Sequence, residues 1–141
     1  MKIAIINGPN LNLLGIREVD IYGTLPFGEY LELLKKNYSE ISFSYFQSNI
    51  EGELIDELQR TGFEYDGIIL NPGGYTHTSV AIGDAIAAIP APVIEVHISN
   101  ISGREDFRKI SHVSAKCKGT ISGLGMKGYE LAVEYLVSSK Q

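Results

Sequence analysis

Three short runs of this 141-residue chain are wholly or mostly apolar: Ile3-Ala-Ile-Ile6, Gly67-Ile-Ile-Leu70 and Val93-Ile-Glu-Val-His-Ile98. Runs of this length, bounded by turn residues and without a polar face, read as strands buried on both sides. Such strands need helices above and below their sheet, and the intervening segments supply them. Phe27, Leu31, Leu34 and Tyr38 share one face of a helix opened by Thr24-Leu-Pro-Phe27, with Pro26 tolerated in its first turn. Ile50, Leu54, Ile55 and Leu58 form a second stripe, started by the capping-box pattern Ser48-Asn-Ile-Glu51 and stopped by Gly62. Ile82, Ala85, Ile86 and Ile89 mark a third helix over Thr78–Ile89, ended by Pro90-Ala-Pro92. Leu131, Ala132, Tyr135 and Leu136 mark a fourth. Ile41–Tyr45 alternates with period two, and Gly119–Ser122 is a short last strand.

Strands alternating with helices imply a parallel sheet covered on both faces. Five strands in this length predict an α/β architecture: a flavodoxin-like doubly wound five-stranded parallel sheet, order 2-1-3-4-5, in one domain over residues 1–141. Such folds bind ligands beyond the carboxyl ends of the strands, near the switch point between strands 1 and 3. The formal net charge of −5 argues against a general nucleic-acid binder, which needs a basic footprint. It leaves room for an anionic small substrate beside a local arginine or histidine. Cys117 is the single cysteine, so no intrachain disulfide can form, which fits a reducing compartment. The first apolar run is too short for a signal-peptide core, and no run approaches a membrane span. The expectation is a soluble, cytoplasmic protein.

The loop Asn7–Gly23 departs from this economy. It holds three Asn, three Gly and one Pro, and is far longer than the ordinary connection of about 2–6 residues. The topology opens the loops after strands 1, 3, 4 and 5 on one sheet edge. They bring Asn10, Arg17 and Tyr22; Asn71, Gly73, Gly74 and His77; His97 and Ser99; and Ser122 and Gly123. Glu95 and His97 point to the same side of their strand. A carboxylate there favours the protonated ring and fixes its orientation, a general-acid arrangement. A lone strand-end histidine is usually structural, but a buried carboxylate beside it is costly without a purpose. Tyr22, Arg17, His77 and Asp84 taken singly are ordinary core, surface or capping residues. Gly123-x-Gly-x-x-Gly128 matches a dinucleotide fingerprint, yet it follows the last strand and lacks the acidic ribose-binding residue, so a tight turn with helix packing reads better. Asn71-Pro-Gly-Gly suggests a phosphate cradle, as in an FMN or nucleotide carrier, but brings no Walker lysine. No metal-ligand spacing is evident.

Three stretches carry a resemblance: Gly8-Pro-Asn-Leu-Asn-Leu-Leu-Gly-Ile-Arg-Glu with Tyr22-Gly23, Asn71-Pro-Gly-Gly-Tyr-Thr-His-Thr-Ser79, and Glu95-Val-His-Ile-Ser-Asn100 with Arg104-x-x-x-Arg108. In order and over nearly the whole chain, they resemble type II 3-dehydroquinate dehydratase. The resemblance implies one catalytic domain that removes water from 3-dehydroquinate to give 3-dehydroshikimate, in the shikimate or quinate pathway. It implies no metal, organic cofactor or Schiff-base lysine, and an anti elimination through an enolate. By motif, Tyr22 is the base with Arg17 as its electrostatic partner, Asn10 serves the enolate oxygen, and His97 is the acid, oriented by Glu95. Asn71 and the backbone around Ile98 and Ser99 bind the substrate carboxylate, and His77, Asp84 and Arg108 bind ring hydroxyls. The residue corresponding to Asp84 comes from a neighbouring subunit, implying a homododecamer, a tetramer of trimers. Val19 stands where proline is common in the family, Gly103 where alanine is usual, and Lys109–Ser114 departs from the common run. Without the proline the loop is expected to be a looser lid.

Overall fold

The computed structural model describes residues 1–140. Its strands are β1 (Lys2–Asn7), β2 (Ser42–Gln47), β3 (Gly67–Asn71), β4 (Val93–His97) and β5 (Gly119–Ser122). All pair in parallel, in the order β2-β1-β3-β4-β5, as the alternation of elements predicts. The helices are α1 (Val19–Tyr22), α2 (Phe27–Asn37), α3 (Glu51–Gly62), α4 (Val80–Ala87) and α5 (Lys127–Ser139).

Side-chain alternation along each strand sorts the core into two layers. Ile3, Ile5, Ile69, Ile94 and Val96 pack with α2 and α5. Ala4, Ile6, Ile68, Leu70 and Val93 pack with α3 and α4. Every residue of β3 and β4 is buried, the reason these strands show no alternation in sequence. β2 lies at the sheet edge, and none of its residues is fully buried.

Several local expectations change. Ser48 does not form a reciprocal box with Glu51. Its hydroxyl accepts from the Ile50 N–H at 2.9 Å and donates to Glu53 at 2.6 Å, because α3 begins two residues later than a box on Ser48 requires. Gly62 is the last helical residue of α3, and a Cβ there would come within 2.5 Å of Ile89, so the glycine serves the close approach of α3 to the segment that follows α4. α4 starts at Val80, behind a 3₁₀ turn over Gly73–His77, with the Ser79 hydroxyl accepting from the Ile82 N–H at 2.9 Å. The inward face of α5 is Tyr129, Ala132, Val133 and Leu136, whereas Tyr135 is 42% exposed. The Gly123–Gly128 segment is a tight turn: Gly123 and Gly125 have positive φ, and a Cβ on Gly128 would meet Val96 at 3.1 Å.

The long loop is largely ordered. It forms a 3₁₀ turn at Leu11–Leu13, whose buried Leu11 and following Leu14 join the core, and then the four-residue α1. Asn10 and Glu18 flank these pieces in left-handed conformation, the two positive-φ non-glycine residues among those described. No described helix is long and apolar enough to cross a membrane.

Candidate active site

Beyond the carboxyl ends of β1, β3 and β4 lies a cavity of about 120 Å³. β1 hands over to Asn10 and, through the loop, to Arg17 and Tyr22. β3 ends on Asn71, and the turn behind it supplies His77. β4 delivers His97, followed by Ile98 and Ser99, while Arg108 arrives from the 3₁₀ turn Asp106–Lys109. These nine residues line one cavity. Glu95 stands behind His97. Asp84 sits exposed on α4 and does not line the cavity.

The strand-built side is closely bonded. Glu95 is 0% and His97 5% exposed, and the Glu95 carboxylate contacts His97 Nε2. Thr76 Oγ1 donates to Glu95 Oε2 at 3.1 Å, and Ser114 Oγ donates to Oε1 at 2.7 Å. Burial raises the Glu95 pKa, but the opposing interactions with His97, Ser114 and Thr76 outweigh it and hold the carboxyl below its ordinary value. Because a carboxylate accepts, His97 Nε2 carries the proton that faces Glu95, and a proton delivered to a ligand must leave from Nδ1. The same logic fixes His77: its Nδ1 donates to the Ile110 carbonyl at 2.7 Å.

Asn71 is buried. Its Oδ1 accepts from the Gly73 N–H at 3.1 Å, and its Nδ2 donates to the Tyr129 hydroxyl, also at 3.1 Å. Gly73 has φ +60°, the left-handed region, and a Cβ there would press on the Pro9 carbonyl at 3.2 Å.

The loop-built side is looser. The Arg17 guanidinium lies over the Tyr22 ring, 4.6 Å from its centroid, and pairs with Glu18. The Tyr22 hydroxyl accepts instead from Arg104 Nη1 at 2.9 Å, and the same nitrogen donates to Ser99 Oγ at 3.2 Å. Arg104 was visible in sequence only as one end of a motif and carried no assigned role. Its contact with Tyr22 spans 82 positions, a tertiary fact without a local signal. Thr76 and Ser114 were likewise missed, since a hydroxyl residue in a turn looks the same whether or not it faces a carboxylate. Arg108 is paired with Glu105. Cys117 is a partly buried free thiol whose pKa burial, then the Glu95 charge, push up to about 12. Among the described residues no group of three or more His, Cys, Asp or Glu is placed to hold a metal ion.

The arrangement offers a phenol among guanidinium groups on one side and a carboxylate-oriented imidazole on the other, acid–base chemistry on a small polar molecule. Comparison with known proteins points the same way. The family model described as dehydroquinase class II matches residues 1–137. A 3-dehydroquinate dehydratase of Fusobacterium nucleatum is 56% identical, covering 97% of both chains. One of Campylobacter jejuni is 53% identical over 94% of this chain and 85% of the relative. The solved type II dehydroquinase of Butyrivibrio crossotus superposes with a TM-score of 0.94 at 47% identity, covering 97% of both chains.

Proposed function

The chain belongs to the class II dehydroquinase family, and from that premise we propose that it converts 3-dehydroquinate to 3-dehydroshikimate and water by anti elimination through an enolate. The supporting observation is the placement of a guanidinium-bound phenol, Tyr22, and a carboxylate-bound imidazole, His97, in the lining of one cavity.

In this reading Tyr22, as phenolate, takes the proton next to the substrate ketone. A free phenol keeps its proton at neutral pH, with a pKa of about 10. Cationic groups beside the oxygen favour the anion. Arg17 over the ring and Arg104 at the hydroxyl supply that charge. The electron pair released from the C–H bond moves to the ketone oxygen, which Asn10 serves directly or through a water, the oxyanion role. The enolate then re-forms the ketone, and its electron pair makes the new carbon–carbon double bond. The hydroxyl on the far carbon leaves as water with the proton from His97 Nδ1. Glu95 holds the imidazolium in place. Asn71 and the backbone at Ile98 and Ser99 grip the carboxylate, and His77 and Arg108 bind the ring hydroxyls. Asp84, outside the cavity of its own chain, reaches a hydroxyl in a neighbouring subunit's site. That completes a homododecamer of four trimers, each chain one catalytic domain working in the cytoplasm.

Incubation with 3-dehydroquinate tests the activity. Absorbance from the conjugated enone product is the expected result, and its absence in correctly assembled protein would refute the reading. Sedimentation tests the assembly.

A further inference from the structure

We propose that the Tyr129 hydroxyl is a positioning group for the reaction: it fixes the side-chain amide of Asn71 so that an N–H faces the bound substrate. This rests on the reading of Asn71 as a carboxylate-binding residue.

The proton directions follow from one backbone group. The Gly73 N–H can only donate, so the Asn71 atom 3.1 Å from it is the oxygen, Oδ1. Nδ2 therefore faces Tyr129, and the phenol oxygen, 3.1 Å away, accepts. Tyr129 has one proton, and it goes to Asn7 Oδ1 at 2.8 Å. The Asn7 Nδ2 in turn lies 3.4 Å from the Tyr45 hydroxyl. The Gly73 donor fixes the Asn71 end of this chain: flipping that amide would set Nδ2 against the Gly73 N–H.

The fold explains why α5 must supply this group. Asn7 and Asn71 are paired neighbours at the carboxyl ends of β1 and β3. By strand alternation both point to the α5 side of the sheet, where Tyr129 stands fully buried. Its ring is held edge-on to Phe27 at 5.0 Å between centroids. Burial, the leading influence, raises its pKa well above the ordinary phenol value, so it keeps the proton the chain needs. Tyr129 does not line the cavity; Asn71 does. Nδ2 has a second hydrogen, and once the first is committed to Tyr129 that one is left for the ligand.

The test is a steady-state cycle on the full-length enzyme. Tyr129→Phe should raise KM for 3-dehydroquinate about fivefold, the worth of one buried neutral hydrogen bond, with kcat within about twofold. Asn71→Ala should raise KM at least as much. The double variant should match Asn71→Ala alone, since Tyr129 acts through that side chain. A merely structural role for Tyr129 would lower Tm and leave KM of the folded enzyme unchanged. That result, or additive KM effects in the double variant, overturns the proposal. If Asn71→Ala leaves KM unchanged, the carboxylate-binding reading fails and this inference fails with it. A raised KM in Asn71→Ala beside a normal one in Tyr129→Phe sinks the inference alone. Should Tyr129→Phe not fold, Asn7→Ala carries the test. It removes the acceptor that anchors the Tyr129 hydroxyl, so the phenol oxygen holds Asn71 Nδ2 less firmly and KM should rise; an unchanged KM overturns the proposal.

Discussion

The two sides of the cavity are built on different principles. The imidazole side stands on β4: His97 and Glu95 are buried, and two hydroxyls from separate loops close around the carboxylate. The phenol side stands on a loop. Tyr22 terminates a four-residue helix, and its partners are long arginine side chains, one of them paired with an exposed glutamate. Buried polar networks resist rearrangement because each lost bond leaves an unpaired group. Exposed ion pairs exchange with water at little cost. The imidazole side is thus a closed buried network, and the phenol side is held by ion pairs and a short loop helix.

The contrast predicts that chemistry and stability separate. Tyr22→Phe should lower kcat by at least about 100-fold, the usual scale for a general base, while Tm and the circular dichroism spectrum stay as in the parent. Normal turnover would remove Tyr22 as base. Glu95→Ala should be the most destabilising change at the site, about 3–5 kcal/mol by denaturant unfolding, because His97, Thr76 and Ser114 all lose the buried carboxylate they bond to. A change below about 1 kcal/mol would show that the imidazole side is not a closed network. Arg104→Met should cost on the order of tenfold in kcat through one charge-assisted hydrogen bond, with little change in unfolding free energy. If stability falls as far as in Glu95→Ala, the loop side is not loose and the comparison collapses.

The smallest effect is on pH. The folded-state pKa of Glu95 is depressed, so its contribution to stability is fully present above the ordinary carboxylate range and is lost as pH falls through the lower folded value. Denaturant midpoints measured from neutral pH downward should fall less steeply in Glu95→Gln than in the parent. The Glu105 carboxyl is also held low, by Arg108 first, but it is solvent-exposed. Its part of the acid limb should vanish in high salt, whereas that of Glu95 should persist.

The architecture was legible because burial on both faces leaves a plain mark. β3 and β4 have no room for polar alternation, and the stripes on α2, α3 and α4 gave the buried faces, except that Ile50 is exposed at the α3 N-cap. α5 was misphased because Leu131 and Tyr135 are as apolar as Tyr129 and Val133, and only the fold tells which face meets the sheet. The same limit hid Tyr129 and Arg104. Each is one of several tyrosines or arginines, and what distinguishes it is a partner on another element. The Glu95/His97 pair was readable because both residues lie on one strand two positions apart. The pairing of Arg17 with Tyr22 was half right as geometry: the guanidinium stacks on the ring, and another arginine meets the hydroxyl.

The state of Cys117 has a practical consequence. Alkylating reagents attack the thiolate, and a thiol held near 12 offers almost none at neutral pH. Its partial burial acts in the same direction, so the parent chain should react slowly with maleimide dyes, which a labelling time course checks. A second cysteine placed by Ile16→Cys, at a position 77% exposed in the Asn7–Gly23 loop, should take the label preferentially. A dye there reports on the surroundings of the loop that carries the phenol, on a protein that keeps its own cysteine.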